Sequence, residues 1–508
     1  MSGSPITRRR FLVLAGGAAT AAGGGLLLAS RNDPPSIVAA GSPRVAAVEQ
    51  RRRRPGAAVT EVAVAAAPLG TGGAWAYGGT VPGPEIRIGA GGVLRAAFSN
   101  GLPEATTVHW HGIALRNDMD GVPGVTQPPV GPGGRFDYEF TVPDPGTYFF
   151  HPHVGPQLDR GLYAPLIVED PDEPGDYDRE LVLVLDDWLA GADPNRVLAE
   201  LLQGGMPMGG MPMGGMEMGR MDMGGMEMGR MDMGPSGLGM DTGDVDYPAY
   251  VINGRPPEDP PTFQARRGER IRLRIINAAS DRPFRFAVGG HRLTVTHSDG
   301  FPVEPATTDA LLLGMGERYD ALVTLDADGS VPVVAVPEGG VSGGLAVIRT
   351  GAGPAPARAA RPTELDGKVL TGDDLRAAAA VVLPTRTPDR ALTFRLAGGM
   401  EGYRWTLNGR EFDESQLRDA DYQLREGERV RLRFENRSPM FHPMHLHGHT
   451  FQVQRKDGPG ARKDTAVIRP MQTLTADFEA DNPGQWALHC HNIYHAEAGM
   501  MTVVSYVR

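Results

Sequence analysis

Arg267-Gly268-Glu269-Arg270-Ile271-Arg272-Leu273-Arg274-Ile275-Ile276-Asn277 follows the turn Ile252-Asn253-Gly254-Arg255 near the centre of the chain. Ile271, Leu273 and Ile275 alternate with Arg270, Arg272 and Arg274. That period of two predicts a strand with one buried and one wet face. The pattern recurs late in the chain, where Leu407-Asn408-Gly409-Arg410 leads to Glu426-Gly427-Glu428-Arg429-Val430-Arg431-Leu432-Arg433-Phe434-Glu435-Asn436. It also occurs early, where Tyr77-Gly78-Gly79-Thr80-Val81-Pro82-Gly83-Pro84 leads to Gly91-Gly92-Val93-Leu94-Arg95-Ala96-Ala97-Phe98-Ser99-Asn100. Each copy is a turn carrying Gly, a second turn with Gly, and a strand ending at Asn. Copies so far apart are not stacked solenoid repeats and imply three related β-domains. They fall at residues 56–172, 173–360 and 361–508, with the Ala- and Pro-rich Pro354–Arg361 as the second linker. Helices are expected to be few, at Pro194–Leu202 and Asp373–Ala380.

Composition agrees with this reading. The 508 residues include 69 Gly and 44 Pro but only 6% aromatics, which suits many short elements joined by tight turns. A formal charge of −11 argues against a general nucleic-acid binder. Residues 1–55 read as an export segment. Thr7-Arg8-Arg9-Arg10-Phe11-Leu12 looks like a twin-arginine signal, followed by an Ala- and Gly-rich stretch to about Ala29. That stretch is too short and Gly-rich to span a membrane stably. Ser30 to Pro55 is expected to be a tether without structure. The destination is the cell envelope or the medium. The single cysteine, Cys490, excludes an internal disulfide, and a lone cysteine in an exported chain implies a specific task.

That cysteine stands in His489-Cys490-His491, with His495 and Met500 at steps of five. One thiolate, two imidazoles and a distant thioether form the ligand set of a blue-copper site. Cys490, His495 and Met500 supply three of these four ligands, and the fourth comes from elsewhere in the chain. Ten of the thirteen histidines sit in four short motifs: His109-Trp110-His111, His151-Pro152-His153, His442-Pro443-Met444-His445-Leu446-His447 and the terminal cluster. An H-x-H pair on a strand puts both imidazoles on one face. One such pair is commonly an ordinary polar pair, but three beside a His-Cys-His point to a metal cluster. His291, His297 and His449 are left over as structural or surface residues.

With these four motifs in this order, and Asp120-Gly121-Val122-Pro123-Gly124 after the first, the chain resembles the multicopper oxidases, which include laccases and bacterial copper-efflux oxidases. The resemblance covers nearly the whole chain beyond the export segment. It implies three cupredoxin-like Greek-key domains and four copper ions. By motif, His442 completes the type 1 site with Cys490, His495 and Met500. His109 and His445 hold the type 2 ion. His111, His151, His153, His447, His489 and His491 hold the type 3 pair. The cluster then lies between the first and last domains, with the middle one mainly a scaffold. The axial Met500 implies a modest oxidant compared with relatives that carry Leu or Phe there. Asp120 and Glu497 are the candidate proton-relay acids. Bacterial members often place the second acid directly after the type 1 histidine, where this chain has Ala496.

Residues 204–240 form a low-complexity insertion holding thirteen of the 22 methionines. Met206, Met208, Met211, Met213, Met216, Met218, Met221, Met223, Met226, Met228, Met231 and Met233 recur as Met-x-Met pairs among Gly, Glu and Asp. Soft thioethers select Cu(I), and acidic neighbours attract cations. The resemblance implies an oxidase that couples four one-electron oxidations of Cu(I) or phenols to reduction of O2 to water. A copper-tolerance role and a general laccase acting on phenols or aromatic amines are the competing forms. A non-catalytic copper carrier needs only the type 1 residues. The expected oligomeric state is a monomer.

Overall fold

The computed structural model describes residues 36–173, 175–204, 237–239, 242–413 and 420–508. The twin-arginine stretch and the methionine pairs from Met206 to Met233 lie outside the described residues. Among the described residues no helix is long and apolar enough to cross a membrane.

The all-β expectation is met by six sheets packed as three two-layer sandwiches. The three repeated strands occupy equivalent places. Val93–Asn100 runs parallel to Val59–Pro68 and antiparallel to Arg135–Thr141. Arg270–Asn277 lies in the same way between Arg179–Trp188 and Arg318–Thr324, and Arg429–Asn436 between Arg390–Gly399 and Thr473–Glu479. The terminal asparagines have a common task. Asn100 donates from Nδ2 to the carbonyls of Glu104 and Val130, Asn277 to those of Arg282 and Leu313, and Asn436 to those of Met440 and Ile468. Each Oδ1 accepts from the amide two residues on, at Leu102, Ala279 or Ser438. One buried side chain thus satisfies three backbone groups where a strand leaves its sheet, a place where an unpaired group is costly.

Three expectations change. The wet face of the Arg270–Asn277 strand is confined to Arg270 at its start: Arg272 and Arg274 are each 3% exposed. Both reach the buried Asp320, which also accepts from Thr147 of the first sandwich. The outer face of this sheet is therefore an internal seam, and paired charges let arginine lie there. The supposed tether carries the helix Pro43–Arg52. Val45, Val48 and Glu49 are buried, and Glu49 accepts from the amide and hydroxyl of Thr141. Ser36 and Val38 pair with the C-terminal residues Arg508 and Tyr506. Asp373–Ala380 is not a helix. It forms two 3₁₀ turns, Gly372–Asp374 and Ala379–Val381. The first is closed by a reciprocal Thr371–Asp374 capping box, and Ala377 between them bridges to Val303. The Pro194–Leu202 helix is present, capped by Asp193.

Candidate copper centres

Four strand ends build one buried histidine cluster. His109–His111 pairs with Gly146–His151, so His109 lies opposite His151. In the last sandwich, His442–Leu446 pairs with Gln485–Cys490, so His445 lies opposite His489 and Met444 opposite Cys490. Neighbouring strand residues face opposite ways. His489 and His491 therefore meet the histidines of the first sandwich, while Cys490 turns to the other side.

The ligand atoms gather in separate groups. His111, His151 and His491 form one triad, and His153, His447 and His489 form another. His109 and His445 lie together beside His111. On the far side, Cys490 joins His442 and His495. There each Nδ1 stands 3.7 Å from Cys490 Sγ, and the two Nδ1 atoms are 3.1 Å apart. Met500 is fully buried, and its carbonyl accepts from the Cys490 amide.

The free nitrogens show that the cluster suits metal. Among the described residues, the Nε2 atoms of His109, His445, His151 and His491 and the Nδ1 of His111 are buried without a hydrogen-bond partner. The opposite nitrogen of most of these rings is already engaged. His109 Nδ1 donates to the Asp120 carbonyl, His151 Nδ1 to that of Pro152, and His445 Nδ1 to that of Asp464. His111 Nε2 donates to Asp464 Oδ1 at 3.1 Å, and His447 Nδ1 to Asp120 Oδ2 at 2.9 Å. Each such bond fixes the tautomer and turns the bare nitrogen inward, as outer-shell partners of metal ligands do. In the second triad the Nε2 of His489 lies 3.0 Å from that of His447 and 3.4 Å from that of His153. Burial, followed by the neighbouring imidazoles, holds His111, His151, His153, His447 and His491 well below the usual histidine range, and His489 is lowered to about 3. The rings are thus neutral donors. Burial pushes the Cys490 thiol up, so a metal must displace its proton.

At the cysteine side, His442 Nε2 donates to Ser438 Oγ at 2.7 Å, and His495 Nε2 to Asp244 Oδ2 at 2.8 Å. Tyr403 donates to the same Asp244 oxygen at 2.6 Å, while Asp244 Oδ1 is buried without a partner among the described residues. Trp405 lies against His495 with ring centroids 4.0 Å apart and the planes tilted by 34°. His495 is only 1% exposed.

Of the two candidate acids, Asp120 is fully buried against the cluster. Glu497 is exposed on the last turn of the Ile493–Glu497 helix, and among the described residues no hydrogen bond joins it to a clustered histidine. His449 is structural: Nδ1 donates to the His447 carbonyl and Nε2 accepts from Tyr506. Asp464 and Asp244 were not singled out from the sequence. Neither stands in a histidine motif, and only the fold brings them to the rings. Burial alone would raise the Asp464 carboxyl. The Arg318 guanidinium and bonds from His111 and His445 outweigh it and hold the group well below the usual carboxylate range.

The fold and site define a three-sandwich protein with a buried Cys-His₂ group beside an eight-histidine cluster. The multicopper oxidase family profiles match residues 59–173, 179–342 and 385–507. Multicopper oxidase MmcO of Mycobacterium tuberculosis is 46% identical over 85% of this chain and 82% of its own length. Copper resistance protein A of Escherichia coli is 28% identical over 84% of this chain and 88% of its own. The crystal structure of a multi-copper oxidase from Pseudomonas thermotolerans superposes with a TM-score of 0.66 at 29% identity, covering 89% of this chain and all of that one. The chain belongs to the multicopper oxidase family. It is a copper-dependent oxidoreductase with cupredoxin-like domains, and four copper ions are the family complement.

Proposed function

We propose that this chain oxidises Cu(I) at the cell envelope and reduces O2 to water, in the service of copper tolerance. His442, Cys490, His495 and Met500 are the type 1 ligands, and His109 and His445 the type 2 ligands. His111, His151 and His491 hold one type 3 ion, and His153, His447 and His489 the other. Copper supplies the one-electron chemistry at both centres. The chain supplies the connection between them: Cys490 is covalently continuous with His489 and His491, so thiolate, backbone and imidazole form a short path. Asp120, with Oδ2 on His447 Nδ1 at 2.9 Å and Oδ1 3.2 Å from His109 Nδ1, would hold or pass a proton to the cluster.

One observation carries the choice of substrate. Asp244 follows Met233 by eleven residues, and its carboxylate caps the outer nitrogen of His495. The Pro194–Leu202 helix, which ends just before the methionine run, packs against the turn holding Tyr403. The helix before the run and Asp244 after it thus lie near the proposed type 1 residues, while Gly237 faces Arg469 and Leu238 packs in the middle-sandwich core. A phenol would have to lay its ring on His495, but Trp405 covers one face and Asp244 the outer nitrogen. Asp244 Oδ1, buried and without a hydrogen-bond partner among the described residues, would serve a small cation that reaches His495. The names of relatives such as Copper resistance protein A fit this reading. The laccase reading draws on relatives such as Laccase-2 of Botryotinia fuckeliana, at 29% identity. The twin-arginine stretch supports export.

Deleting residues 205–236 and comparing steady-state kinetics decides between the two readings. The expected result is a fall in kcat/KM for Cu(I) of about tenfold or more, equivalent to ~1.4 kcal/mol. Phenol oxidation should be unchanged or faster. Unchanged Cu(I) kinetics, or an equal loss on both substrates, would sink the Cu(I) reading.

A further inference from the structure

Arg318, at the start of a middle-sandwich strand, is fully buried and touches all three sandwiches. Its Nη1 and Nη2 donate to the two oxygens of Asp464 in the last sandwich, at 2.7 and 2.6 Å. Its Nε donates to the Thr147 carbonyl of the first, on the strand that leads to His151, at 3.1 Å. Nη1 also donates to the Gly316 carbonyl of its own turn at 3.0 Å. Asp464 in turn accepts from His111 at Oδ1 and from His445 at its carbonyl. Thr465 Oγ1 donates to Asp464 Oδ1 at 2.8 Å and stands 3.1 Å from His445 Nδ1.

Two glycines leave room for this pair. A Cβ on Gly112, directly after His111, would stand 2.4 Å from Arg318 Nη2 and 2.6 Å from Asp464 Oδ2. One on Gly316 would lie 2.9 Å from His491 and 3.0 Å from His111. Both residues have positive φ, near 80°, which favours glycine. The middle sandwich thus presses a glycine turn against the cluster and sends one guanidinium fork behind it. A buried ion pair is a weak source of stability compared with apolar packing. A planar fork holding both oxygens of a carboxylate does, however, fix that carboxylate in rotation, which a lysine cannot do.

We propose that Arg318 is a positioning residue for the trinuclear copper cluster. By locking the Asp464 carboxylate it sets the orientation of His111 and His445, and so the geometry and retention of the type 2 ion. This rests on the ligand assignment proposed above. It makes the middle sandwich part of the site.

The test compares the copper-loaded wild type with Arg318→Lys, using copper content, electron paramagnetic resonance of the type 1 and type 2 ions, and chelator removal. The wild type should carry four ions with both signals. If it lacks a type 2 signal, the ligand assignment itself falls. With that signal present, Arg318→Lys should keep the blue type 1 spectrum but show altered type 2 hyperfine splitting. It should lose type 2 copper to chelator about ten- to a hundred-fold faster, the usual cost of removing an outer-shell partner. Its kcat should fall, with KM for the reducing substrate unchanged. Unaltered type 2 parameters and retention would overturn the proposal while leaving the assignment intact. If Arg318→Lys does not fold, Asp464→Asn replaces it. An amide nitrogen turned to His111 cannot accept that ring's proton, and the same selective type 2 defect is expected. If neither variant folds, the pair serves the fold alone and the positioning role is overturned.

Discussion

Cys490 shows how one residue joins two centres. Its thiol is buried and shares a triangle with His442 and His495. Its sequence neighbours on both sides belong to different triads of the large cluster. Cys490→Ser replaces a soft thiolate with a hard hydroxyl at unchanged size. The blue colour should vanish, copper content should fall from four ions to three, and oxidase activity should be lost. Absorption spectra and metal analysis check this. Retained turnover would refute the electron path through Cys490. Asp120 and Asp464 play matching parts at this scale. Each uses a main-chain carbonyl for one histidine and a carboxylate oxygen for another, so one residue orients two rings.

Among the elements, the Pro43–Arg52 helix was least expected from its sequence. A basic stretch after an export signal reads as a solvated tether, because its charges promise no core. In the fold only one side is apolar. Val45 and Val48 are buried, and Arg52 donates to the Ala114 carbonyl at 2.5 Å. Glu49 is 4% exposed and accepts from the Thr141 amide at 3.0 Å and hydroxyl at 2.7 Å. Glu49→Ala strands a buried amide on the edge of the first sandwich. The expected loss is about 1–3 kcal/mol of unfolding free energy, read from denaturant melts. A loss within error would mean that water replaces the carboxylate and that the helix is loosely held. The asparagines ending the repeated strands are the opposite case. Their recurrence was visible in the sequence, but their reason was not, because the carbonyls they serve lie as far as thirty-odd residues away.

Across the whole molecule, the sandwiches meet through buried charge. Arg272, Arg274, Asp320 and Thr147 join the middle and first, and Arg318 and Asp464 the middle and last. Near the type 1 residues, Asp187 accepts from the amides of Ser280, Asp281 and Arg282, and Asp281 from Asp244, Val245 and Asn492. Burial, then the charge of Asp281, raises Asp187 to about 7; burial, then Asp244, raises Asp281 to about 6. The unfolded chain releases the same protons near pH ~4. Between those limits the folded state binds more protons, so stability falls as pH rises. Each group contributes a slope of up to ~1.4 kcal/mol per pH unit. Thermal unfolding from pH 4 to 7 should show this decline, and Asp281→Asn should flatten it. An unchanged slope in that variant would place the titration elsewhere.

Residues close in sequence and tied to a period or a metal's preference were legible without the fold. The alternating strand of Arg270–Asn277 announced the β class and its copies the three sandwiches. The spacing of His489, Cys490, His491 and His495 announced the copper, because a strand's two faces are set by local backbone geometry. The partners that orient those ligands were not legible. Asp464 and Arg318 are 146 residues apart, and Asp244 and His495 are 251 apart. No local period links such residues; they meet only because three sandwiches pack around one cluster. Tertiary packing likewise decided that most of the outer face of Arg270–Asn277 is dry and that the middle sandwich reaches the histidine cluster. A buried charge is stable only where a distant partner has been folded against it.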